Sequence, residues 1–237
     1  MNKLIEIKKE IRSLSDPVRA KHSLRFFKTG KGEYGEGDKF LGLTVPEQRT
    51  IAKKYRDLPF QDTLKLLKSE YHEHRLVALF ILIHKFEKGD KSIRKRVYDL
   101  YLKNTKYINN WDLVDSSAHK IVGEYLTDKD RSILYKLAKS KDLWEKRISI
   151  ISTFAFIRDD DFKEALALAE ILRDDEHDLI HRAVGWVLRE VGKKDLAVEE
   201  RFLKKHYKHM PRTMLRYAIE RFPEKKRKAY LYGTVKL

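Results

Sequence analysis

From Pro46 to about Phe222, apolar residues recur three and four positions apart with few interruptions. That spacing lines one face of an α-helix, and the alternation that marks strands is nearly absent. Short polar breaks fall at DLPF, SEYHEH, KGDKS, NTKYINN, LTDKD, KSKDL, IRDDD, RDDEHD, GKKD and KHMPR. They predict helices of roughly 10 to 17 residues, an ordinary globular length. Pro46, behind Thr44 and Val45, suits a first helical turn, and Asp142 and Asp178 are placed to cap the helices that follow them. The stretches LVALFILI (76–83) and ISIISTFAFI (148–157) are apolar on every side and predict helices sandwiched between others.

The helices repeat. HRLVALFIL from His74, KRISIISTF from Lys146 and HRAVGWVLR from His181 align on Arg75, Arg147 and Arg182, and the same phase passes through Trp111 and Arg216. Helix pairs recurring at this spacing predict an all-α fold, an α-solenoid of HEAT- or armadillo-like pairs, curved, with a concave basic face. A single domain over 1–237 is expected, with cap helices and a glycine-rich loop over 1–45, repeats over 46–222 and a basic tail over 223–237.

Charge changes the picture more than composition does. The net charge of +16 is concentrated at the end, where Arg201–Leu237 holds twelve Lys and Arg against Glu220 and Glu224. A polyanion, nucleic acid first, is the expected partner. There is no cysteine, which excludes disulfides, thiolate metal sites and cysteine nucleophiles. The charged start MNKLIEIKKEIRSL does not resemble a signal peptide, and no apolar run is long enough to span a membrane. A monomer in the cytoplasm, without cofactor, metal or membrane partner, is expected. Gly30, Gly32 and Gly35 match GxGxxG on paper, but no strand precedes them and no helix opens at the third glycine. The loop is expected to be a flexible connector with exposed backbone.

Candidate chemistry gathers on two helices. On the helix after NTKYINN the inward face reads Trp111, Val114, Ala118, Ile121, Val122 and Tyr125, and Asp115 shares its ridge with Trp111. A carboxylate among apolar neighbours needs an ion-pair partner or a task, and the sequence leaves both open. Asp112 suits the first helical turn. On the helix over about 178–191, Arg182, Trp186, Arg189 and Lys193 form a basic stripe around an aromatic ring, either packed on a neighbouring helix or presented to phosphates and bases. Arg147 opens an otherwise apolar helix in the same repeat phase.

NWDLVDS from Asn110, LWEKRISI from Leu143 and GWVLRE from Gly185 together resemble the AlkD family of HEAT-like-repeat DNA glycosylases, which act in DNA alkylation repair. The likeness in length and helix order covers almost the whole chain from about residue 20. It implies Asp115 as the catalytic carboxylate, Trp111 and Trp186 as aromatics flanking the lesion's deoxyribose, and Arg147 and Arg189 as backbone contacts, with Arg182 and Lys193 beside them on DNA. A tyrosine of the family's first helices stands here as Phe26. The implied activity is hydrolysis of the N-glycosidic bond of cationic N7- or N3-alkylated purines in duplex DNA. The alternatives are a non-catalytic scaffold that binds damaged or branched DNA, and a solenoid that binds protein or RNA.

Overall fold

The structure, a computed structural model, describes residues 3–235; Met1, Asn2, Lys236 and Leu237, which the expected cap and tail include, lie outside the described residues. The chain divides into two compact units, Met1–Ser117 and Ala118–Leu237. The described residues contain no strand beyond an isolated parallel bridge between Lys39 and Tyr71.

The first unit holds α1 (Lys3–Ser13), α2 (Pro17–Phe26), α3 (Val45–Lys54), α4 (Phe60–Leu67), α5 (His72–Lys88), α6 (Lys91–Lys103) and, at its end, α7 (Trp111–Ala118). Local chemistry starts them. Thr44 and Glu47 form a reciprocal capping box at α3, with Pro46 in its first turn, and Asp16 and Asp90 cap α2 and α6. Leu76–Ile83 of α5 is buried on every side, with α1, α3, α4 and α6 packed around it. By contrast α2 buries no residue at all.

A π-helical turn, His119–Gly123, opens the second unit and runs into α8 (Glu124–Leu126). It is followed by α9 (Ser132–Ala138), α10 (Leu143–Ser152), α11 (Phe154–Arg158), α12 (Lys163–Leu172), α13 (Asp178–Lys194), α14 (Leu196–His206), α15 (Arg212–Ala218) and α16 (Glu224–Tyr232). The apolar run 148–157 is buried except for Phe154, but it breaks at Thr153 into α10 and α11. Asp142 caps α10 as expected, whereas α13 is capped by His177, whose ring accepts from the Leu179 N–H. Asp178 is instead the first residue of α13 and pairs with Arg182 one turn on. Helix packs on neighbouring helix in chain order: α9 on α10, α12 on α13, and α13 on both α14 and α15. This is how an α-solenoid builds its core. Gly185 makes the α13–α15 contact possible, since a Cβ there would lie 2.4 Å from the Met214 carbonyl oxygen. The expected basic tail is a helix: α16 follows Pro223, ends at Gly233 in the left-handed region, and buries Tyr230 against Tyr207 and Phe222.

Arg75, Trp111, Arg147, Arg182 and Arg216 all fall in the first two turns of a helix, in α5, α7, α10, α13 and α15. Their exposure is not shared. Arg75 and Arg147 are buried, Trp111 is half-buried, and Arg182 and Arg216 are exposed. Repeat phase fixes a place along the helix, and the number of helices packed around that place decides what the side chain meets.

Candidate functional site

In the first unit, α7 carries the two residues of interest one turn apart. The Asn110 side chain accepts the Trp111 N–H at 2.8 Å and so starts the helix. Trp111 lies against two phenylalanines at the end of α2: Phe27 stacks on it (5.4 Å, 23°) and Phe26 meets it edge-on (5.7 Å, 69°). Phe26 is 55% exposed, a large apolar ring left open to solvent beside a half-buried tryptophan. Asp115 is half-buried one turn after Trp111. Two residues on, the buried Tyr101 hydroxyl and the Ser117 hydroxyl are 2.9 Å apart, and Ser117 donates to the Leu113 carbonyl, so the last turn of α7 is pinned to α6. Burial holds the Tyr101 phenol far above its ordinary range, and the Asp115 charge adds to this.

The start of α7 is pinned by ions that the sequence reading missed. Asp112 does serve its first turn, one oxygen accepting the Leu113 N–H; its other oxygen lies 2.7 Å from His72 Nε2. His72 Nδ1 is 3.3 Å from Asp38, whose same oxygen accepts from Arg75 at 2.7 Å. Burial alone would lower the His72 pKa. Asp112 and Asp38 outweigh it and raise the ring to about 9, so it is a cation at neutral pH. His74, two residues on, shows the opposite result: burial and nearby Lys8, Arg12 and Arg75 lower it to about 4, leaving it neutral. No local pattern in the sequence ties His72 to a partner 40 positions away; the only available signal is two histidines just before the apolar run 76–83.

The glycine-rich loop is built rather than slack. Glu33 and Glu36 accept the N–H groups of Gly30 and Gly32, both at 2.8 Å. Gly35 is buried, and a Cβ on it would lie 2.4 Å from the Phe27 carbonyl. The loop's exit is tied to α5, where the buried Glu73 carboxylate accepts from the N–H groups of both Leu41 and Gly42. Gly30, Gly32 and Gly37 are exposed, as a backbone-exposing loop requires, but the loop's own carboxylates already occupy the Gly30 and Gly32 amides.

In the second unit, Trp186 is half-buried on α13. Its indole N–H donates to Glu190, and its ring lies 4.7 Å from Phe154. Both rings line a cavity of about 570 Å³ with His119, Ile157, Arg158, Lys193 and Lys194. The expected cations divide. Arg182 and Lys193 keep about half of their side-chain surface, although Asp178 and Glu190 pair with them. Arg189 is 16% exposed and bonds to Glu220. Arg147 departs most from expectation. It is 4% exposed, and its guanidinium donates to the Leu179 carbonyl in the first turn of α13. The apolar surface of α10 is covered on all sides and draws the arginine stem inside with it, so Arg147 braces α13 rather than facing solvent. Among the described residues no group of three or more His, Cys, Asp or Glu could hold a metal ion, and no helix is long and apolar enough to cross a membrane.

A family model described as DNA alkylation repair enzyme matches residues 7–222, nearly the whole of both units. The chain belongs to that family. Among solved structures it is similar to a predicted DNA alkylation repair enzyme from Enterococcus faecalis, with a TM-score of 0.67 and 15% identity over 89% of this chain and 97% of that one. At that identity the likeness speaks for the fold alone. No curated protein matches the sequence. Family membership places the chain in the repair of alkylated DNA and agrees with the excess of positive charge.

Proposed function

We propose that this DNA alkylation repair protein is a glycosylase that hydrolyses the N-glycosidic bond of N7- or N3-alkylated purines in duplex DNA. The observation that carries the reading is the pair on α7: a half-buried carboxylate, Asp115, one turn beyond a half-buried tryptophan, on a helix pinned at its first turn by Asp112 and at its last turn by Ser117. An alkylated purine is cationic and already a good leaving group, so no general acid is required. The positive charge passes to the sugar as the bond breaks. A carboxylate held in place stabilises that oxocarbenium-like sugar and orients water, and an aromatic face adds a cation–π contribution. In this reading Trp111 and Asp115 serve the sugar. Trp186 offers a second ring to the DNA, and Arg182, Arg189 and Lys193 take phosphates once their carboxylate partners are exchanged for them.

The deciding assay is single-turnover release of 7-methylguanine from a methylated duplex by wild type and Asp115→Asn. The variant keeps the shape and removes the charge. Release should fall about 100-fold, equivalent to roughly 2.7 kcal/mol of transition-state stabilisation, with DNA binding retained. Equal rates remove Asp115 from the chemistry. No release by wild type leaves the non-catalytic scaffold for damaged or branched DNA as the better reading.

A further inference from the structure

His72 takes no direct part in the proposed chemistry, yet the first unit is organised around it. Its ring is 2% exposed. The charged groups facing it are Asp38 from the loop, Asp112 from α7 and Arg75 from α5 itself. Two carboxylates and one guanidinium leave the cluster one positive charge short, and an imidazolium supplies it. A buried set of ions is tolerable only when charge and hydrogen bonds are both complete.

Two lines run from this ring to Trp111. The first is polar and covalent: Nε2 to Asp112, which follows Trp111 in the chain. The second is aromatic. The imidazole lies against Phe40 (4.7 Å) and Phe27 (4.9 Å), and Phe27 stacks on Trp111 at 5.4 Å. The two lines hold the tryptophan's backbone and its ring plane independently. The opposite end of the cluster is Asp38, near the end of the glycine-rich loop that leads to α3. Loop, helix start and tryptophan are therefore joined through the histidine at the centre.

We propose that His72 is a positioning residue: through Asp112 and Phe27 it fixes the first turn of α7 and the plane of Trp111, and so holds Asp115, one turn on, at a single location. The consequence for rate rests on the glycosylase reading; the consequence for Trp111 does not.

The experiment has two arms. In otherwise wild-type protein, His72→Gln, Asp112→Asn and the double variant are compared in single-turnover release of 7-methylguanine and in duplex affinity. In a chain whose only tryptophan is Trp111 (Trp144→Phe, Trp186→Phe), the same substitutions are followed by acrylamide quenching and by emission against pH. Misplacement should lower release by about 10- to 100-fold while affinity stays within about twofold, and the double variant should be no worse than either single one. Trp111 should become more quenchable, and its emission should titrate near pH 9 in the His72 chain and not in His72→Gln. If His72→Gln does not fold, Asp112→Asn decides both arms alone, because asparagine preserves the shape and a carbonyl acceptor for the ring. Unchanged quenching, or losses that add in the double variant, overturns the proposal. Absence of release by wild type, with quenching altered as expected, overturns the glycosylase reading and leaves the positioning role standing.

Discussion

Glu199 offers a sharp test of how this fold handles buried charge. It lies on α14 and is 2% exposed, with its carboxyl in the notch left by Gly192 of α13; a Cβ on Gly192 would come within 1.6 Å of Oε2. Oε1 has no hydrogen-bond partner. Burial, reinforced by the neighbouring Glu200 charge, raises the pKa from 4.5 to about 8, and Arg189 and Lys226 only partly oppose this. The sign follows from proton counting. Between pH 4.5 and about 8 the unfolded chain has released this proton while the folded one keeps it, so stability falls as pH rises through that window. Below the window the cost is absent, and above it the cost is complete. A rise of three to four units at about 1.4 kcal/mol each sets an upper bound near 5 kcal/mol, and relaxation with water entry reduces it to on the order of 2–3 kcal/mol. Glu199→Gln removes the ionisation and keeps the shape. Urea unfolding at about pH 5 should barely separate the two proteins, whereas at about pH 8.5 the variant should be more stable by that 2–3 kcal/mol. A stability difference that does not change with pH would refute the argument.

The other expectations are briefer. Neutralising Arg182 or Lys193 should reduce the slope of duplex affinity against salt by about one phosphate contact each, measured by titration at several salt concentrations. Arg147→Met should leave that slope unchanged and lower stability by about 1.5–3 kcal/mol, because a buried charge-assisted bond to Leu179 is lost. Gly185→Ala should destabilise by about 1–3 kcal/mol despite its better helix propensity, since the new methyl meets the Met214 carbonyl; thermal melting checks it.

Much of the fold was legible because its signals are local. Thr44 with Pro46 and Glu47, Asp142, and the unbroken apolar run 76–83 each report a helix start or a helix core from within one or two turns. The candidate pair Trp111 and Asp115 was also legible, from a carboxylate on an apolar ridge. What was missed depends on contacts remote in sequence. Arg147 and Arg182 share a repeat phase, and only the number of covering helices separates the buried one from the exposed one. His72 reads as a polar break residue until Asp112 and Asp38 are brought to it. Glu199 looks like one more surface acid on a charged helix until Gly192 is seen to leave room for it. The helix at 224–232 was a different kind of miss, because its signals were present: proline before it, and glycine just after.

That last helix has a consequence for handling the protein. The family match ends at residue 222, and α16 begins two residues later. Tyr230 is the one residue it buries, Lys226 pairs with Glu200 and the Leu231 carbonyl accepts from Arg212, while Lys225, Arg227 and Lys228 stand in solvent. With a single buried side chain it should open and reclose before the rest of the second unit. Its amides should therefore exchange with deuterium early. Trypsin should clip among these basic residues under native conditions, leaving a resistant core that retains the repair-family region and has lost much of its most concentrated positive charge.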